Sequence, residues 1–393
     1  MQFSIPFSGR AHLYTDEEIA LVAATARESV PLTQGYYLNA FESAFKIYTG
    51  AKHAFAVSNA TAALEMAAQL CLFQPGDEVI VPAHTFTASA YPFVKQGARI
   101  VWADFHPATR VITADTIAAC LTARTKAIVV VHLYGYGADM PAIMALARQH
   151  GLLVIEDAAQ ALGVRIQEHH AGTFGDFGAF SFHSHKNLST LGEGGMLTVQ
   201  EDGIAALIPM LRHNGHCGFA DQREDYWIPA MGNVDLPEWR GYSLMPNNVC
   251  LGEVECALGA KLLERADRIN REKRERALAV IAALSDIPEL TFHCVTNERH
   301  NYHLLVARIA HGWRDAFIRT MANQHRIQCI VQYCPLYRYP LYRKLGFGAA
   351  TCPNTDDFFD NMVSFPFHHA LLPQDLETIV SATRGTIETL RTQ

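Results

Sequence analysis

Four stretches of this 393-residue sequence carry side chains whose types and neighbours could do chemistry. Ser58-Asn59-Ala60-Thr61-Ala62-Ala63-Leu64 follows an apolar run and opens a helix-like one. Small residues at such a start leave backbone N–H groups free, and the helix dipole favours an anion. The stretch can therefore cradle a phosphate, or it can be an ordinary Ser/Thr-capped helix start. It has neither the Gly-Lys-Ser/Thr of a P-loop nor a GxGxxG fingerprint. Phe86 could stack on a planar group or be a core aromatic beneath a loop. In Glu156-Asp157-Ala158-Ala159-Gln160, a carboxylate at a strand end can hold a ring nitrogen protonated, as a pyridinium electron sink requires. Its plain alternative is an acidic N-cap. Ser181-Phe182-His183-Ser184-His185-Lys186 precedes a turn rich in glycine, Gly192-Glu193-Gly194-Gly195. A lysine buried there loses basicity and can form a Schiff base with an aldehyde, whereas most lysines lie on the surface. His183 and His185 have no third ligand at a familiar spacing, so no metal is expected.

The four stretches share a position. His53 to Val57, Glu78 to Val81, Arg99 to Trp102, Ala127 to Val131 and Leu152 to Ile155 read as buried strands, followed by Ala179 to Phe182 and Met196 to Val199. Thr61 to Phe73, Thr87 to Gln96, Ala114 to Leu121 and Met140 to His150 read as helices between them. Such alternation predicts a largely parallel sheet covered on both faces. Cradle, aromatic, carboxylate and lysine then all fall at C-terminal strand ends, where ligands of open α/β sheets collect. Four independent accidents are a poorer account than one cofactor site. Beyond residue 200, Asn214 to Trp239 reads as a long ordered loop. Leu251 to Leu284 reads as one or two long helices whose charged middle, Arg265 to Arg276, is a solvated face. Thr291 to Gln393 reads as a smaller α+β domain. The expected division is a large domain over residues 1–250 and a small one, with its connecting helix, over 251–393.

Composition sets outer bounds. The chain is 49% apolar and 18% charged, which excludes disordered, collagen-like and coiled-coil classes. A formal net charge of −7 offers no basic surplus for nucleic acid. Nine scattered cysteines with no CxxC pair read as reduced thiols. The start lacks a signal peptide, and no apolar run approaches the ~20 residues of a membrane span. A cytoplasmic protein without a membrane partner is expected.

The motifs around Asn59, Asp157 and Lys186 resemble those of the DegT/DnrJ/EryC1/StrS sugar aminotransferases, supported by Leu32-Thr33-Gln34-Gly35 and by Pro75-Gly76-Asp77-Glu78 with the strand that follows. The resemblance runs from about Ile5 into the C-terminal domain and weakens after Ala260. It implies a pyridoxal 5′-phosphate (PLP) enzyme of fold type I: a large domain with a mainly parallel mixed sheet covered by helices, plus a smaller α+β domain. By that resemblance Lys186 would bind PLP covalently and move the proton, and Asp157 would pair with the ring nitrogen. Gln160 would hydrogen-bond the phenolic oxygen, and Phe86 would stack on the ring. Ala60, Thr61 and Ser181 would hold the phosphate. Asn248 would reach the phosphate of a partner chain in a homodimer with shared active sites. Cys250 stands where the family usually has Arg, a departure associated with the cyclitol branch. Glutamate or glutamine would be the amino donor and a nucleotide-linked keto-deoxysugar the acceptor. A keto-cyclitol of the scyllo-inosose type or a free keto sugar is the alternative acceptor. His183, Asn214, His216, Tyr337 and Arg338 are substrate contacts by position only. Dehydration, in which His replaces the lysine, is disfavoured by Lys186; a nicotinamide oxidoreductase is disfavoured by the missing GxGxxG. A non-catalytic PLP-binding regulator is the reading from another class.

Overall fold

A computed structural model of the chain describes residues 2–7, 12–217 and 232–392. Of the loop expected over Asn214 to Trp239, residues 218–231 lie outside the described residues.

Runs such as Val79-Ile80-Val81 and Ile128-Val129-Val130 are β-branched and fully buried, as strands covered on both faces must be. They assemble a seven-stranded sheet. Across it the order is His53–Val57, Gly195–Val199, Phe177–Ser181, Leu153–Asp157, Thr125–Val131, Glu78–Pro82 and Arg99–Ala103. Gly195–Val199 is antiparallel to both neighbours, and the other pairings are parallel. Six strands therefore point one way and one runs back, the mainly parallel mixed sheet expected. The C-terminal ends of the six form a single edge.

The helices differ from expectation in several places. Thr87 to Gln96 is a 3₁₀ turn, Thr87–Ser89, then a helix, Tyr91–Lys95. Pro92 causes the break, because its fixed φ suits a first helical turn and not an interior. Ala114–Ala118 is also shorter than read. Two N-terminal helices, Asp16–Glu28 and Tyr36–Thr49, are absent from the sequence reading. The first is announced by a Thr15/Glu18 capping box and the second is closed by Gly50 at φ 73°. Phe41 and Phe45 of the second meet Phe180 of the sheet and Phe182 just beyond it at centroid distances of 4.9 to 6.2 Å. Each such pair adds about 0.5–1.5 kcal/mol beyond burial, and Phe182 thereby anchors the start of the Lys186 loop.

Leu251 to Leu284 forms two helices, Glu253–Leu263 and Ala266–Ala283. The second joins two cores: Ala266 and Ile269 enter the first, and Ala277, Val280 and Ile281 the second. Its charged stretch is solvated only in part. Asp267, Arg268, Arg271, Glu272 and Glu275 are exposed, while Lys273 turns inward, because a helix that bridges two cores has buried sides within the same run. The second core lies under an antiparallel sheet of Leu290–Phe292, Leu305–Ile309 and Met362–Phe365. No helix among the described residues is long and apolar enough to cross a membrane.

Glu253 ties the two halves of the first core together. Its carboxylate, 1% exposed, accepts from the amides of Gly35, Tyr37 and Leu38 at 2.9, 2.7 and 3.2 Å. It thus serves the free first-turn donors of helix Tyr36–Thr49 from outside the helix. Glu253→Ala is expected to lower unfolding stability by about 2–4 kcal/mol, read as a fall in the urea midpoint. A midpoint unchanged from wild type would show these bonds to be dispensable.

Candidate active site

Along the C-terminal edge of the large sheet lies a cavity of about 500 Å³. Ala60, Thr61, Phe86, Asp157, Gln160, Ser181 and Lys186 all line it. Asn248 does not: it is exposed, and its backbone is bridged to His213.

Each side chain is set by the element beneath it. Asp157 ends the strand Leu153–Asp157 and is 6% exposed. Its Oδ2 accepts from Ser89 Oγ at 2.6 Å, and its Oδ1 from the Ala159 amide at 3.1 Å. Ser89 is itself within 2.9 Å of Thr85 Oγ1, so the carboxylate has one orientation. The preceding residue, Glu156, points to the other face, as alternation in a strand requires. It is fully buried and accepts from three backbone amides, those of Gly172, Phe174 and Gly175, and lies 2.9 Å from His132 Nε2. That saturated carboxylate fastens the strand end that carries Asp157.

Lys186 stands in the loop after Phe177–Ser181. The loop is closed on itself by Phe182 N to Gly194 O at 2.8 Å, Ser184 N to Gly192 O at 2.9 Å and Lys186 N to His183 O at 2.8 Å. Burial pushes the Lys186 ammonium down to about 8, and the nearby Asp157 carboxylate opposes that shift. Gln160 is oriented by the Tyr134 amide, which donates to its Oε1 at 2.6 Å. Its Nε2 lies 3.2 Å from the Tyr333 hydroxyl and retains a second proton to donate.

At the other end, Asn59 caps helix Ala60–Leu70 by accepting from the Ala62 amide at 2.9 Å. The amides of Ala60 and Thr61, in the first turn, have no intrahelical acceptor. Gly195 passes so close that a Cβ on it would lie 2.3 Å from the Asn59 carbonyl carbon and 2.7 Å from the Ala60 nitrogen. Only glycine permits that approach, and it leaves the cradle open. A helix start with unpaired first-turn amides, a carboxylate held in one orientation, a side-chain amide with a proton to spare and a weakened lysine therefore share one cavity. The residues fit pyridoxal phosphate.

Other placements depart from the sequence reading. Of the substrate contacts named by position, His183 lines the cavity, but Asn214, His216, Tyr337 and Arg338 do not. Tyr337 and Arg338 both bind the Asp356 carboxylate. Sequence reasoning also missed Tyr333, His303, Phe367 and Lys273, which come from the later part of the chain to close the cavity. Lys273 was hidden in a charge run and His303 in an apolar one, and neither spacing carries a signal.

A family model described as the DegT/DnrJ/EryC1/StrS aminotransferase family matches residues 13–384. The chain is 34% identical to the spore coat polysaccharide biosynthesis protein SpsC of Bacillus subtilis, over 99% of this chain and 97% of that protein. It is 34% identical to the GDP-perosamine synthase of Caulobacter vibrioides, over 88% and 89% respectively. Among solved structures, the PLP form of Spr1654 from Streptococcus pneumoniae superposes with a TM-score of 0.85 at 25% identity, covering 98% of this chain and 99% of that one.

The lowered Lys186 pKa has a kinetic consequence. Only the neutral amine adds to an aldehyde, so capture of PLP by the apoprotein should speed up by roughly tenfold per pH unit below 8 and level off above it. Stopped-flow absorbance measures this directly. A rate that keeps rising to pH 10 would mean that Lys186 has an ordinary lysine pKa.

Proposed function

Because the chain belongs to the DegT/DnrJ/EryC1/StrS aminotransferase family, we propose that it moves an amino group from glutamate or glutamine to a keto sugar carried on a nucleotide. The protein is a PLP-dependent aminotransferase. When bound, PLP supplies an aldehyde carbon to receive the amino group and a protonated ring that drains charge from the donor's Cα.

In this reading the chain's own residues do the rest. Lys186 holds the cofactor covalently and, when released, its Nζ carries the proton to and from the donor's Cα. Asp157 keeps the ring nitrogen protonated, with Ser89 fixing which oxygen faces it. Gln160 donates to the phenolic oxygen, Phe86 covers the ring, and Ala60, Thr61 and Ser181 take the phosphate. Asn248, exposed on its own chain, reaches the partner's phosphate in a homodimer. Val30, Tyr36 and Ile47, which are 95%, 76% and 86% exposed, support a second copy covering the N-terminal helices. The division into residues 1–250, which bind the cofactor, and 251–393 belongs to the same proposal.

One observation carries the reading: Lys186 and Asp157 line one cavity with the unused first-turn amides of helix Ala60–Leu70. The likeness to a GDP-perosamine synthase supports a nucleotide-linked acceptor.

The test is spectroscopic. Excess L-glutamate or L-glutamine should bleach the visible band of the holoenzyme, and a nucleotide-linked keto-deoxysugar should restore it with an aminated product seen by mass spectrometry. Restoration by scyllo-inosose alone would replace the acceptor, and a band inert to every amino acid would remove the activity. Asp157→Asn should keep the cofactor yet slow bleaching by about 10²–10⁴-fold.

A further inference from the structure

Lys273 is a second lysine in the same cavity, and the chemistry above does not use it. It projects from helix Ala266–Ala283, and its Nζ donates to Asn187 Oδ1 at 2.8 Å and to the His303 carbonyl at 2.8 Å. Asn187 directly follows Lys186 and is 4% exposed. Its Nδ2 is held in turn by Asn270 Oδ1 at 2.8 Å, so the acceptor that fixes the ammonium is itself fixed. An ammonium has three protons, and two are spent on neutral oxygens. No carboxylate among the described residues pairs with it, and the charges that act on it are those of Arg276 and Lys186. His303, in the same wall, is kept neutral by burial. Lys186 and Lys273 are the only lysine or arginine side chains among the described residues that line the cavity.

Burying a cation without a counter-ion is costly, and a protein that keeps one so firmly oriented has a use for an anion there. On the reading that an amino acid is the donor, we propose that Lys273 binds the donor's α-carboxylate. Its place favours that oxyanion over an acceptor's diphosphate. The α-carboxylate is one bond from the Cα whose proton Lys186 moves, so its partner must stand beside Lys186. A diphosphate on C1 of a sugar lies several bonds from a ring ketone. Lys273, tied to the residue after Lys186, stands in the first position. Burial and the two neighbouring cations draw its pKa down to about 7, and an incoming carboxylate would restore the charge.

The holoenzyme of Lys273→Gln tests this by the bleaching of its visible band. Half-saturation by L-glutamate and L-glutamine should rise by about 10–100-fold, the worth of one charge-assisted hydrogen bond. Half-saturation by 4-aminobutyrate, which is glutamate without the α-carboxylate, should be unaffected. Lys273→Arg should recover part of the loss, which a merely misfolded wall would not allow. UDP and GDP, titrated by calorimetry, should bind wild type and variant alike. An amino-acid half-saturation that stays at the wild-type value overturns the anchor alone. Loss of nucleotide binding with donor binding intact also overturns it and reassigns the ammonium to a diphosphate. A wild-type band that neither amino acid bleaches overturns the donor reading, and the anchor with it.

Discussion

A lysine amine and a carboxylate, each taken out of water, share one cavity at the edge of a sheet. Their relation governs the rest of the site. Burial strips the proton from Lys186 more readily than in water, while Asp157 pulls in the opposite direction. The outcome, a pKa of about 8, leaves an amine that is nucleophilic near neutrality without being permanently discharged. Ser89 and the Ala159 amide donate to one Asp157 oxygen each and so fix the direction of the carboxylate.

Holding two such groups in place demands stiffness from residues that touch no ligand. Glu156 gives every lone pair it can to the backbone of the following loop and to His132, so the strand end cannot rotate. Phe180 and Phe182 lock against Phe41 and Phe45, so the Lys186 loop begins from a packed origin. Glu253 secures the helix that carries those partners. The polar centre thus rests on a chain of satisfied buried groups, which suits a site that must be pre-organised.

Sequence made part of this legible. Apolar runs of strand length with Pro-Gly punctuation reported the parallel sheet, and strand ends then placed Asp157 and Lys186 on one edge of it; that their strands are neighbours came only with the fold. What was not legible depends on contacts distant along the chain. Helix Tyr36–Thr49 has no side-chain cap of its own, because Glu253, more than 200 residues later, supplies it. Lys273 sits in a charge run where Arg271, Glu272 and Glu275 do face water, so its inward turn follows from helix packing alone. Tyr337 and Arg338 carried substrate-like chemistry in the sequence, but Asp356 claims both.

The central claim is that one particular amine carries the cofactor. Borohydride reduction of the holoenzyme, digestion and peptide mass spectrometry test it most directly. The account predicts the reduced PLP adduct on the peptide bearing Lys186, with Lys273 unmodified. An adduct on Lys273, or PLP that washes away after reduction, would contradict it.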